Sequence, residues 1–227
     1  MNKCGVLVIA LLGSFCWQST GQTPAKPSTQ WMEIVLERKE ATGWRTVDPN
    51  LVLKTDDVVR FKFQANFDGY LYVTDYGSSG SRSLLFPREE TGINNKVSAG
   101  RNYVIPANGA TFKVAGPAGF DSVYWLVSPV ALTMPVSVGE TNPTPPKPAR
   151  LTPRCDPAQL RARSLCLDTD AGPHNVENTK TLPAEFSAVP RLRSRELTIL
   201  QAKEKTRLST TGGLNGPVIY EFRLAHN

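Results

Sequence analysis

Along the chain, apolar side chains recur at every second position in short runs, and turn residues separate the runs. Asp57 to Ala65 (DVVRFKFQA) is the clearest case. Val59, Phe61, Phe63 and Ala65 share one face, and Arg60, Lys62 and Gln64 share the other. That period of two predicts a strand buried on one side. Met32 to Glu37 predicts an earlier strand. Tyr70 to Thr74, Ser83 to Phe86, Asn102 to Ile105, Thr111 to Val114 and Ser122 to Ser128 predict later ones. Asp68-Gly69 stands between two such runs. It predicts a hairpin, because glycine tolerates the positive φ of a tight turn. Phe61, Phe63, Tyr70 and Tyr72 then read as core-face aromatics across that hairpin. Gly77 to Ser81 reads as a second turn and Glu89 to Asn95 as a loop, while Pro87 and Pro106 end strands.

The rear of the chain is patterned differently. Gly139 to Arg154 holds five prolines in sixteen residues and reads as an extended linker or surface excursion. Cys155 to Pro190 is polar. Asp156-Pro157 within it predicts a short helix, with aspartate as the cap and proline at the first helical position. Strand character returns at Glu196 to Gln201 and at Pro217 to Leu224. Two strands in about 75 residues would bury little core alone, so they are expected to complete the front sheets. The fold expected is all-β: an antiparallel β-sandwich, immunoglobulin-like in general architecture, with a Pro-rich insert containing one short helix. The expected organisation is a signal peptide over 1–21 and a flexible lead-in over 22–30. The main sandwich follows over 31–138, then a Pro-rich and Cys-containing insert over 139–195, with C-terminal strands over 196–227.

The first residues change the picture of where the chain works. Lys3 is followed by an uncharged apolar run from Gly5 to Trp17, 13 residues long. It is short for a transmembrane helix and suited to a signal-peptide core. Ser19 and Gly21 are small residues at suitable spacing for cleavage before Gln22; the alternative is a retained anchor. Periplasmic or secreted localisation is expected, with no transmembrane helix in the mature chain. Cleavage would remove Cys4 and Cys16 and leave Cys155 and Cys166, a candidate disulfide in an oxidising compartment. A straight helix from 155 to 166 would hold their Cα atoms about 16 Å apart. A bridge needs roughly 7 Å or less. The helix must therefore end near Arg163 and the chain fold back. Two reduced thiols are the alternative.

Charge is uneven. Gln22 to Pro146 carries 12 basic and 12 acidic residues; Lys147 to the end carries 13 basic and 8 acidic, a difference of +5. The rear half could favour anionic partners. Arg191, Arg193 and Arg195 alternate, so an extended segment would project all three guanidinium groups on one side. They are the candidate anion-binding residues, with a charge-protected strand edge as the alternative. Signals for chemistry are weak. No Gly-x-Ser-x-Gly elbow or phosphate-binding glycine loop is present. His174 and His226 read as exposed, one in a polar loop and one beside the C-terminus. Asp168-x-Asp170-x-Gly172 resembles the start of a calcium loop, but its glycine falls one place early and Thr179 occupies the twelfth position. Cys155, Cys166 and His174 lack structural-zinc spacing. No catalytic, cofactor-binding or metal-binding residues are assigned.

Several blocks together carry a resemblance. Asp68 to Val73 (DGYLYV) precedes a Gly-Ser turn and Leu84-Leu85-Phe86-Pro87. Asn94 to Val97, Ala99 to Arg101, Tyr103 to Pro106, Gly116 to Gly119 and Val123 to Ser128 follow in order. From Val52 to Leu132 the chain resembles the bacterial domain-of-unknown-function family 4384. The C-terminal Gly216 to His226 looks like endings of some exported members. The resemblance implies an all-β domain, often exported, sometimes joined to caspase-like or kinase domains. It brings no established activity, so no functional residues are carried over. The function expected is an exported non-catalytic binding or accessory module of the bacterial cell envelope. Its expected partner is an unknown protein or an anionic envelope polymer, with no nucleic acid. The alternatives are a hydrolase with an unrecognised site near His174 and Asp170, and a structural component of a surface or secretion assembly.

Overall fold

A computed structural model describes residues 29–133, 152–176, 186, 189, 198–202, 204–210 and 216–227. Arg191, Arg193, Arg195 and the apolar N-terminal run lie outside the described residues. The chain forms strands β1 (Gln30–Glu40), β2 (Gly43–Thr46), β3 (Val58–Ala65), β4 (Gly69–Tyr76), β5 (Arg82–Phe86), β6 (Lys96–Val97), β7 (Asn102–Ile105), β8 (Phe112–Lys113) and β9 (Gly119–Ser128). Helix α1 (Pro157–Arg163) follows, then β10 (Gly172–Asn175), β11 (Thr198–Ala202), β12 (Lys205–Thr210) and β13 (Val218–His226). The first sheet has the order β11-β12-β1-β3-β7, with β2 on β1 and β8 on β3; the second has β10-β13-β9-β4-β5, with β6 on β4. All strand pairs are antiparallel. The two sheets make an antiparallel, sandwich-like all-β fold with one short helix, as the period-two pattern implied.

The core lies between the sheets. Met32, Ile34, Leu36, Phe61 and Phe63 of the first sheet meet Leu71, Val73, Trp125, Val127, Tyr220 and Phe222 of the second. The aromatics stack in series. Phe63 lies 6.0 Å from Trp125 and Trp125 lies 6.1 Å from Tyr220, each pair near parallel, while Phe61 meets Trp125 edge-on at 5.1 Å. Offset or edge-on aromatic pairs add about 1 kcal/mol each beyond area burial. The rear strands are integral to this core: β13 lies between β10 and β9, and β12 pairs with β1.

The Asp68-Gly69 hairpin does not form. β3 and β4 lie in different sheets, so the chain crosses the sandwich there. Gly69 is required for another reason: a Cβ would sit 2.9 Å from the Ser128 carbonyl oxygen, where β4 runs against β9. Asp68 instead accepts the Ala99 N–H at 2.8 Å. The crossing also separates the four aromatics. Phe61 and Phe63 enter the core between the sheets, but Tyr70 and Tyr72 face outward from the second sheet and pack in a separate cluster. Alternation along each run was readable, whereas which sheet each run joined depended on long-range pairing. β2, β6, β10 and β12 escaped the sequence reading because each is short or carries a weak apolar pattern.

The Cys155 to Asn175 segment docks against the sandwich. Asp156 caps α1, its side chain accepting the Ala158 N–H at 2.7 Å and the Gln159 N–H at 3.2 Å. Ser164 ends the helix in a left-handed conformation with φ 54°. The reversal brings Cys155 and Cys166 into a disulfide with Cα atoms 4.7 Å apart. The Cys166 carbonyl accepts the Val52 N–H at 2.9 Å, and the Asn50 carbonyl accepts the Asp168 N–H at 2.9 Å.

Candidate functional site

His226, expected to be exposed, is fully buried. β13 runs to the end of β9, where His226 pairs with Gly119. Its Nε2 lies 3.2 Å from the Ser78 Oγ and 3.2 Å from the Asp121 Oδ1. Asp121 Oδ1 also accepts the Ser78 backbone N–H at 2.6 Å. The residue types are those of a nucleophile, a base and an acid, but the wiring differs. A triad acid holds the ring nitrogen opposite the one facing the serine. Here Ser78 and Asp121 meet the same nitrogen, and Nδ1 is enclosed with no hydrogen-bond partner among the described residues. The cluster ties the turn after β4 to the ends of β9 and β13. Its spacing across 148 residues left no local sequence signal.

His174 sits on the edge strand β10, opposite Glu221. Its Nε2 lies 3.0 Å from the backbone carbonyl of Asp170. Burial, then the nearby Arg223 guanidinium, hold its pKa below the usual 6.5. Glu221 is buried on the outer side of the second sheet. Burial pushes its carboxyl up, but hydrogen bonds from Arg223 and from the Ser122 hydroxyl at 2.7 Å outweigh that and hold it below the ordinary value. The calcium-like segment folds as a turn. Asp168 accepts the Arg154 N–H at 2.6 Å on one oxygen and the Asp170 N–H at 2.8 Å on the other. Among the described residues no group of three or more His, Cys, Asp or Glu could hold a metal ion.

The two outer faces of the sandwich differ. On the second sheet, Tyr72, Tyr124, Leu126 and Ile219 are covered by Val176, Phe186 and Val189, with Tyr70, Tyr76 and Leu132 at the margin. On the first sheet, strand alternation turns Trp31, Glu33, Val35, Glu37 and Lys39 of β1 outward, beside Arg60 and Lys62 of β3 and Lys205 and Arg207 of β12. Glu37 is 3% exposed and pairs with both Arg60 and Lys62. Glu33 pairs with Lys205 at 3.2 Å and Arg207 at 3.1 Å. Burial pushes the Glu37 carboxyl up, but its hydrogen bonds to Lys62 and Arg60 hold it below the ordinary range. On β12, β1 and β3, five cations thus share this face with two carboxylates. Two arginines stack on tryptophans: Arg207 lies 4.4 Å from the Trp31 ring centre and Arg60 lies 4.2 Å from that of Trp44. Trp44 pairs with Lys39, eight residues along β1 from Trp31, so the two stacks lie toward opposite ends of that strand. The anion-binding candidates Arg191, Arg193 and Arg195 lie outside the described residues. Of the strip on β1, β3 and β12, only the alternation of Arg60, Lys62 and Gln64 was visible along the sequence.

A cleft of about 310 Å³ opens between the β1–β2 hairpin and the disulfide-closed loop. Val47, Leu51, Leu165 and Leu167 line it beside Arg38, Arg45 and Arg163, with Glu40, Asp48 and Glu204 balancing the charge. Glu40 is held between Arg38 at 2.9 Å and Arg45 at 3.6 Å.

The architecture places the protein among antiparallel all-β sandwich-like folds. Residues 52–131 match the model of the family described as Domain of unknown function (DUF4384), over nearly the span the sequence blocks marked. The match takes in β3 to β9; β1, β12 and β13, which share their sheets with these strands, lie outside it. No curated protein and no solved structure matches the chain. Among the described residues no helix is long and apolar enough to cross a membrane.

Proposed function

We propose that this chain is an exported, non-catalytic binding or accessory module of the bacterial cell envelope, which engages an anionic envelope polymer through the outer face of β12, β1 and β3. The observation that carries the reading is five cations against two carboxylates on the outer face of β12, β1 and β3, with two arginine–tryptophan stacks. A sheet face spaces its side chains regularly, which suits a linear polymer with repeating charge. Guanidinium groups held flat on indole rings keep donor edges available to carboxylate or phosphate. The non-catalytic part of the reading is supported by the wiring at the histidines. His226 is enclosed by strand ends, and the contact between His174 and Asp170 runs through a backbone carbonyl. Export is supported by the N-terminal apolar run, the small residues before Gln22, and a disulfide-closed loop that suits an oxidising compartment.

The test is binding of the purified protein to polygalacturonate against neutral dextran as control. Charge reversal of Lys62 and Lys205 together is expected to weaken binding by about tenfold or more, and salt to weaken it further. Equal binding to both polymers, or no change in the double variant, removes the polymer reading. Reproducible substrate turnover abolished by one substitution would overturn the non-catalytic reading. Recovery of the uncut chain from the cytosol alone would overturn export.

A further inference from the structure

The sheet edges are not equally protected. β10 contains Pro173. β5 begins with Arg82, runs beside a register shift between Val73 and Thr74, and stops at Pro87. β7 has four residues, with Arg101 before it and Pro106 after it. β2 carries Arg45. Each device discourages another strand from adding to the edge. β11, at the outer edge of the first sheet, has none of them within the strand, and Lys203 follows only at the connection to β12. Its five residues, Thr-Ile-Leu-Gln-Ala, include no charge and no proline, and Leu200 at the centre is 56% exposed.

The ladder fixes which backbone groups face outward. Ala202 pairs with Lys205 across a two-residue connection, so that pair exchanges both backbone hydrogen bonds. Alternation then turns the amides of Thr198, Leu200 and Ala202 toward β12. Those of Ile199 and Gln201 point away from the sheet, with no backbone partner among the described residues.

We propose that β11 pairs antiparallel with β11 of a second copy of this chain, about a two-fold axis at Leu200. In that register Ile199 of each copy faces Gln201 of the other. The outward-pointing amides are then the ones that meet, giving four backbone hydrogen bonds. The two Leu200 side chains lie side by side across the axis. The charge pattern fits self-association: Arg207, the cation next to Leu200 on this face, is matched by Glu33 and stacked on Trp31. The joined row reads ion pair, leucine, leucine, ion pair, with no like charges at the junction. Two five-residue edges bury far less than the ~1,600 Å² of a standard interface, so the dimer is a concentration-dependent equilibrium. It would join two copies of the cationic face into one continuous sheet, although the pairing does not depend on that face binding a polymer.

Sedimentation of the purified protein from about 1 μM to about 1 mM tests this, since that range spans weak association constants. The wild type is expected to pass from monomer to dimer. Leu200→Lys sets two ammonium groups against each other and is expected to stay monomeric with an unchanged circular-dichroism spectrum. Leu200→Thr, uncharged and β-branched, is expected to keep the dimer. In the wild type, amide exchange at Ile199 and Gln201 is expected to slow with concentration, and that at Leu200 is not. A wild type that is monomeric throughout, a Leu200→Lys variant that dimerises as the wild type does, or exchange at Ile199 and Gln201 that ignores concentration would each overturn the proposal.

Discussion

The outer face of the second sheet and the outer face of the first are both made by alternate residues of antiparallel strands, yet they have opposite fates. Tyr72, Tyr124, Leu126 and Ile219 are closed over by Val176, Phe186 and Val189, so this face became a second, smaller core. The Tyr72 hydroxyl, brought into that apolar setting, donates to the Leu132 carbonyl at 3.0 Å and accepts the Leu132 N–H at 2.7 Å. The face of β12, β1 and β3 stays open and holds its charges in pairs. The contrast shows what covers a sheet: apolar side chains recruit a segment of their own chain, while paired charges keep a face in water. Stability should therefore be concentrated on the covered face, and the proposed polymer binding on the other.

The largest expected effect breaks the covered face. Phe186 is buried beside Tyr124 at 6.0 Å, and Phe186→Ala is expected to cost about 3 kcal/mol through lost burial and a residual cavity. Denaturant unfolding measures it, and polygalacturonate binding by the folded variant is expected to stay the same. Next is the clasp. Replacing Cys155 and Cys166 by serine is expected to cost about 2–3 kcal/mol, as the loop they close spans 11 positions. The loss should appear as a lower unfolding midpoint under oxidising conditions and vanish when wild type and variant are compared fully reduced.

Acid acts on both faces in sequence. His174 has a lowered pKa, so the unfolded chain binds its proton more readily, and stability is expected to start falling as pH drops below 6.5. Glu37 and Glu221 have lowered values too. Their contribution is full above 4.5 and is lost as pH falls through their depressed folded values. Unfolding midpoints against pH should show both steps: His174→Gln removes the upper one, and Glu221→Gln reduces the lower. The smallest effect on stability sharpens the contrast from the open face. Lys205→Ala or Arg207→Ala is expected to change unfolding by less than about 1 kcal/mol, since exposed pairs contribute little. Either change should still lower polymer affinity measurably.

How far each part could be read beforehand follows from the range of the interaction that made it. β1 and β3 were visible because a half-buried strand writes its face into adjacent residues, and β4, β9 and β13, covered on both sides, because they are short runs of apolar, aromatic and branched residues between turn signals. The helix was visible because capping and proline placement are local; the 11-position separation of the cysteines required a reversal near Arg163 if they were joined, and left the joining itself open. The crossing at Asp68-Gly69 was misread as a hairpin, since the same dipeptide serves a tight turn or a close backbone approach. His226 was misread because position in the chain says little about burial when the last strand lies inside a sheet. The cationic strip was readable only in part: β3 showed its own alternation, but its neighbours on β12 come from residues 172 and 174 positions from Glu33.

The order of residues by itself determined that this protein would be built of antiparallel strands around aromatic and branched side chains, with a capped turn of helix between two cysteines; that Cys155 and Cys166 are joined came from the structure. The strands and the capped turn rest on periodicity and chain geometry over a few residues. Only the tertiary structure decided which strands share a sheet, which outward face is covered and which is open, and that Ser78, Asp121 and His226 meet. Such outcomes depend on pairings between distant segments, and a one-residue change of register would send every side chain of a strand to the other side.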